Sequence, residues 1–176
     1  MTGLELCEAL HKLCACSSAI AWVEARPDRT LKELWEECQR GDWMLCLASR
    51  CVDRRLVVLA ACDIAESTLK HVPHDEERPR DAIEVARRWV RGEATLEEAR
   101  VAAADAGCAA AAAYPTSCTA AAAYAASHVA DLNRVYVTAV EAAVAGVDLS
   151  RSASIVRARI DAADLGGEGA RWLKTM

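Results

Sequence analysis

The sequence predicts an all-α protein, a multi-helix bundle with a long alanine-rich antiparallel helical hairpin. Three observations carry this. Apolar residues recur at helical spacing, as in Leu31, Leu34, Trp35 and Cys38, which stand at i, i+3, i+4 and i+7. Strand signals are missing, since phenylalanine is absent, β-branched runs are short and no hairpin dipeptide such as Asn-Gly occurs. Long alanine tracts, finally, combine the highest helix propensity with a side chain small enough for two helices to approach closely.

In chain order, Leu4, Leu6, Leu10 and Leu13 make one helical face, with Cys7, His11 and Cys14 along its edge. A second short helix carries Ile20, Trp22 and Val23, and Pro27 with Asp28 breaks the chain after it. Thr30 and Glu33 then have capping-box spacing, in which hydroxyl and carboxylate satisfy each other's orphan backbone N–H groups. The helix they start keeps Lys32, Glu33, Glu36, Glu37 and Arg40 outside. Gly41 to Cys62 is the densest apolar stretch, and the rest of the chain is organised around it. It reads as two buried helices: Gly41 is expected to take a left-handed conformation that ends the preceding helix, Asp42 to cap a helix opening with Trp43, and Asp53 to cap the next. In that next helix Asp63, Glu66 and Lys70 share one narrow stripe while apolar residues cover most of the circumference, so it belongs in the middle of the bundle.

A polar loop, KHVPHDEERPR, follows, and Pro79 suits the first turn of a helix whose inner face is Ala82, Ile83, Ala86, Trp89 and Val90. Gly92 ends it, and Thr95 with Glu98 makes a second capping box before the alanine tract to Tyr114. Pro115 splits the tract, and a second alanine-rich helix runs from about 117 to 144, the other arm of the hairpin. Ser150 or Ser152 is expected to cap a last helix through Ile155, Val156, Ile160 and Ala163, before Gly166, Gly167 and Gly169 loosen the chain ahead of Trp172. The 176 residues are read as one helical domain, with amphipathic and buried helices over 1–92, the hairpin over 93–146, and a C-terminal helix and tail over 147–176.

The net charge of −5 comes from 21 basic and 26 acidic side chains mixed along the chain, so no long-range positive field is expected to gather nucleic acid or anionic lipid. The first residues hold Glu5 and Glu8 and no early basic cluster, unlike a secretory signal, and polar residues interrupt the one long apolar tract. A cytoplasmic protein without a membrane partner is expected. Nine cysteines, an odd number, then read as reduced and mostly buried thiols.

An acidic helix, then Gly41-Asp42-Trp43-Met44-Leu45, then Asp53-Arg54-Arg55 opening an apolar helix, then Glu77-Arg78-Pro79-Arg80 with Ala82-Ile83-Glu84, then Gly92-Glu93-Ala94-Thr95 and alanine-tyrosine tracts occur in this order. From Leu31 to Ala130 this resembles an immunity protein family found beside bacterial polymorphic toxins and in phage genomes. The resemblance implies a small helical cytoplasmic protein that neutralises a toxin by binding it, and it carries over no functional residues. The chain departs from the pattern at Cys46, where a bulky residue is usual, and in an alanine tract poorer in tyrosine.

The search for chemistry agrees with binding and not catalysis. There is no glycine-rich phosphate loop, Walker lysine, HExxH zinc pair or nucleophile elbow, so no enzyme and no cofactor is expected. Cys7, His11, Cys14 and Cys16 are the best metal candidates. They come from one element, whereas structural zinc sites bring paired ligands from two, and the cysteines read as small core hydrophobes; no metal is expected. His71, His74 and Asp75 read as a solvated loop, and Glu36, Glu37, Asp42 and Asp53 as helix surface and caps.

Arg78, Arg80, Arg87, Arg88 and Arg91 form the densest basic cluster, which interleaved Glu76, Glu77, Asp81 and Glu84 are expected to neutralise. Trp22, Trp35, Trp43 and Trp89 lie on apolar faces and read as core, whereas Trp172 with Leu173 follows a glycine-rich hinge and suits a binding anchor. The candidate partner-binding residues are therefore Trp172 and Leu173 together with the five arginines. Three functions fit: a protein-binding antagonist of toxin or phage-versus-host-defence type, a small-molecule or nucleotide sequestering protein with Arg78 or Arg80 at a cavity beside the alanine hairpin, and a homo-oligomeric scaffold.

Overall fold

The computed structural model describes residues 1–13, 15–112 and 147–166. Among them are eight α-helices: α1 Gly3–Lys12, α2 Ser17–Glu24, α3 Leu31–Glu37, α4 Gly41–Cys51, α5 Arg54–Glu66, α6 Arg78–Arg91, α7 Leu96–Ala112 and α8 Leu149–Arg159. Two single 3-10 turns, Leu69–His71 and Asp164–Gly166, complete them. The described residues contain no strand, only an isolated bridge between Thr2 and Thr30, so the fold is all-α as predicted. The second arm of the predicted hairpin lies outside the described residues.

Local signals set most helix starts. The Thr30 hydroxyl accepts from the Glu33 N–H while the Glu33 carboxylate accepts from the Thr30 N–H at 2.8 Å, the predicted capping box. Thr95 and Glu98 repeat it, and Thr2 with Glu5 forms a third box at the start of α1. Bonds from the Thr30 backbone N–H and hydroxyl hold the Glu33 carboxyl below its ordinary range. The folded pKa is thus depressed, so this group's stabilisation is present above the ordinary carboxylate pKa and is lost as pH falls through the lowered value. Thr30→Ala should cost about 1 kcal/mol in a denaturant titration at neutral pH. At a pH below the carboxylate range the difference between variant and parent should shrink.

Gly92 ends α6 with φ 79°, the left-handed conformation its position predicted, and Pro79 sits in that helix's first turn. Gly41 differs from expectation. It is the first residue of α4, Arg40 is the N-cap, and Cys38 ends α3. The reason for a glycine there is steric, because a Cβ would stand 2.5 Å from the Ser152 Cβ and 2.8 Å from the Ala153 backbone N, both on α8. Asp42 accordingly caps nothing and is instead buried in a two-bond pair with Arg40, at 2.9 and 2.7 Å. Asp148, and neither Ser150 nor Ser152, caps α8 by accepting from the Ser150 N–H at 2.8 Å.

The core centres on α5, which contacts α4, α6 and α8, while α6 in turn packs on α7. Val57, Val58, Ala60, Ala61, Cys62, Ile64 and Ala65 are all buried, so more than half of the α5 circumference is covered and its predicted central place holds. The stripe left over is shorter than predicted because α5 stops at Glu66 and Lys70 lies in the following 3-10 turn. α8 returns to α4 and α5, with Ala153, Val156 and Ile160 buried, and Leu165 beyond it is fully enclosed. It also ties down α3: Trp35 Nε1 donates to the Ile160 carbonyl at 3.2 Å, and Arg157 donates to the Trp35 and Cys38 carbonyls at 3.3 and 2.7 Å, satisfying the open end of that helix. At the other end of the chain α1 packs on α2 and α3 through Leu6 and Leu10, while Leu4, expected on the same face, is 62% exposed. Ala163, expected on the inner face of the last helix, is likewise exposed.

Candidate functional site

The arginines of α6 do not form one patch. Arg87 turns back to α5, where it donates to Asp63 at 3.0 Å and Glu66 at 2.7 Å, and hydrogen bonds to these carboxylates raise its already high pKa. Asp63 also takes Arg159 from α8 at 2.6 Å, so one carboxylate joins three helices. Arg91 sits between Glu84 at 3.1 Å and Glu93 at 2.8 Å, and Arg78 pairs with Glu76. Arg88 donates to the Glu93 carbonyl oxygen, and among the described residues no carboxylate pairs with Arg80. Neutralisation by neighbouring acids therefore occurs through the expected Glu76 and Glu84 and also through Asp63, Glu66 and Glu93, whereas no ion pair among the described residues uses Glu77 or Asp81. Sequence spacing shows neighbours on one helix; it does not show that Arg87 crosses to another. Trp172 and Leu173 lie outside the described residues.

The exposed apolar side chains of this region are Leu96, 40% exposed, and Val101, 53% exposed, both on α7. Val101 lies opposite the face that buries Ala99, Ala103 and Ala106, with Val85 of α6 against the first two, and Leu96 borders that buried face one turn before Ala99. Arg88 lies close enough to Glu98 of α7 for its charge to lower that carboxyl's pKa, after the larger effect of bonds from Thr95. Arginine, carboxylate and apolar side chains thus meet where α6 hands over to α7.

A cavity of about 360 Å³ opens between α1, α2, α3 and α4. Its wall is largely apolar, with Leu6, Leu10, Leu34, Trp35, Met44 and Leu47 inside and Asp42, Cys16 and Arg50 among the polar lining. Trp22 and Trp43 line it edge to face, 6.3 Å between centroids, and each carries an arginine on its ring, Arg26 at 4.3 Å and Arg40 at 4.5 Å. Of the four tryptophans read as core, only Trp35 is fully buried; Trp22, Trp43 and Trp89 are half-buried. Trp43 Nε1 is covered yet has no hydrogen-bond partner among the described residues. This cavity stands away from Arg78 and Arg80 of α6, where the sequence reading placed one. Nothing in the spacing of α1 to α4 could show it, because voids depend on how helices meet and not on which face of each is apolar.

All seven described cysteines are free. Burial pushes the Cys51 thiol up to about 11 and the Cys62 thiol up to about 12, so these two behave as small hydrophobes. Cys7 and His11 share an edge of α1 as predicted, but the residue brought to them is Glu24 of α2; Cys16 instead contacts the Ser18 hydroxyl, and Cys14 lies outside the described residues. His74 is exposed in its loop, as expected, whereas His71 is half-buried. Glu36 and Glu37 are exposed on α3, and Asp53 caps α5 by accepting from the Arg55 N–H at 2.8 Å.

Among the described residues no helix is long and apolar enough to cross a membrane. What they make is a helical protein with a salt-bridged arginine helix and an apolar cavity. Residues 49–146 match the family described as Imm-5 like putative immunity protein. The match covers more than half of the chain, and the protein belongs to that family. It starts later than the resemblance read from the sequence and runs further, so Gly41 to Met44 and nearly all of the cavity lining precede it. No curated protein and no solved structure matches the chain.

Proposed function

We propose that this protein is a non-enzymatic, cytoplasmic antagonist that neutralises a toxin, or a component of a host defence system when a phage carries it, by stoichiometric protein contact. The observation that carries this reading is the family match over residues 49–146, which takes in all of α5, α6 and α7. The contact surface in this reading is the junction of α6 and α7. Val101 supplies exposed apolar area with Leu96 at the edge of the buried face, Arg80 supplies charge with no carboxylate ion pair among the described residues, Arg88 supplies charge beside Glu98, and Arg78, Arg87 and Arg91 stiffen the face through their ion pairs. Trp172 and Leu173 are a second anchor.

The test is co-expression with the toxin encoded nearest to its gene, followed by co-purification and an affinity measurement. Cells should survive, and the two chains should leave a sizing column together. Arg88→Glu combined with Val101→Asp should weaken binding roughly thirtyfold, about 2 kcal/mol, with the melting temperature nearly unchanged. If binding holds in that variant and is lost on deletion of residues 168–176, the tail is the interface. Failure of the intact protein to protect cells or to bind would overturn the reading, and a sizing column showing only self-association would support the scaffold instead. The cavity favours a second reading, sequestration of a small apolar molecule with an acceptor for Trp43 Nε1, which native mass spectrometry of protein taken from its host would reveal as a bound ligand.

A further inference from the structure

Three different ligand atoms converge where α1 crosses α2. Cys7 Sγ stands 3.7 Å from Glu24 Oε1, His11 Nε2 stands 3.5 Å from the same oxygen, and all three atoms lie within 4.8 Å of one another. We propose that Cys7, His11 and Glu24 bind a zinc ion, with water in the fourth position.

The two separations to Glu24 suit a tetrahedral ion. With Zn–S about 2.3 Å and Zn–N and Zn–O about 2.1 Å, tetrahedral angles put sulfur and oxygen about 3.6 Å apart and nitrogen and oxygen about 3.4 Å apart. The two separations to Glu24 exceed these by only about 0.1 Å, and the third, sulfur to nitrogen, lies within 4.8 Å, so rotation of the exposed His11 side chain would complete the set. The helices supply the arrangement: Cys7 and His11, one turn apart, project from the same edge of α1, and Glu24 is the last residue of α2. Ligands thus come from two elements. The set weighed from the sequence, Cys7, His11, Cys14 and Cys16, for which no metal is expected, lacks the Glu24 ligand from α2.

The chemistry of the donors agrees. Thiolate, imidazole and carboxylate together suit zinc better than magnesium or calcium, which take oxygen ligands. Without a cation, the buried Cys7 thiol donates to the Glu24 carboxylate and His11 pairs with the same oxygen. A divalent ion would replace these bonds: Cys7 gives up its proton to solvent, and one thiolate and one carboxylate balance the ion's two charges. His11 and Glu24 are each more than half exposed, 59% and 54% at the side chain, which leaves the ion an entry path. All three residues precede the family match, so the site is a feature of this chain's N-terminal helices.

Equilibrium dialysis of the full chain against zinc, followed by elemental analysis, should find one zinc per chain. Cobalt in its place should show the near-ultraviolet charge-transfer band of a thiolate ligand and the visible absorption of a tetrahedral ion. His11→Ala and Glu24→Gln alter exposed side chains and should leave the fold intact by circular dichroism while weakening zinc binding at least about tenfold. Cys7→Ser should abolish the charge-transfer band, and if that buried change unfolds the protein the two exposed variants decide alone. No stoichiometric zinc, or zinc held equally well by His11→Ala and Glu24→Gln, would overturn the site.

Discussion

Trp35→Ala should destabilise the protein by about 3 to 5 kcal/mol, the range for deleting a large aromatic from a packed interior. The indole is 4% exposed on α3 and faces the cavity on one side and α8 on the other. Two losses combine. The void left merges with the existing cavity, so the surroundings have little reason to collapse inward, and the Ile160 carbonyl at the end of α8 loses its donor. Trp35→Phe separates the two by keeping most of the volume and removing the donor, and it should cost much less, about 1 to 2 kcal/mol. Urea unfolding of both variants measures the difference. If alanine and phenylalanine cost the same, the hydrogen bond and not the packing is what Trp35 contributes.

Gly41→Ala should cost about 3 kcal/mol, the upper part of the range for overpacking, although alanine is ordinarily the better helix former by about 1 kcal/mol. The added methyl would meet the Ser152 Cβ, the Ser152 backbone C at 2.7 Å and the Ala153 backbone N at 2.8 Å, and a helix backbone cannot swing aside as a side-chain tip can. Gly92→Ala is the informative comparison. Nothing lies within 4 Å of a Cβ there, and its cost comes from a positive φ alone, about 1 kcal/mol. A melting temperature that falls further for Gly92→Ala than for Gly41→Ala would contradict the packing account of Gly41.

These two glycines also show which parts of the fold were legible in the sequence. Gly92, Pro79, Asp53 and the Thr30 and Thr95 boxes act on backbone groups within a turn of themselves, so spacing alone locates them. Gly41 carries the same letter and a similar setting, yet its cause lies on α8, and a local rule assigned it the wrong conformation. Arg157 and Leu165 passed unnoticed for the same reason: their importance comes from the α3 carbonyls and the α4 surface they reach, neither of which is near in sequence. At the candidate interface the run of arginines was legible along the helix but not its division, since Arg87 turns back to α5, and its neutralisation was legible in sign. Of the partners, Glu76 and Glu84 were legible, whereas Asp63 and Glu66 were not, because they belong to α5. Of the Cys7 site, the α1 pair could be read from i, i+4 spacing; Glu24 could not, since only the crossing of α1 and α2 brings it near.

The bond from Trp35 to Ile160 joins residues 125 positions apart, and it has a bearing on synthesis. A ribosome adding about 5 to 20 residues each second needs roughly 6 to 25 s to travel from one partner to the other. Throughout that interval α3, α4 and α5 have emerged without the helix that covers them, and Leu45, Ala48 and Val57 have only a partial cover. The nascent chain is therefore expected to depend on holdase chaperones until α8 arrives, and messages truncated before Leu149 should yield protein that aggregates or is degraded.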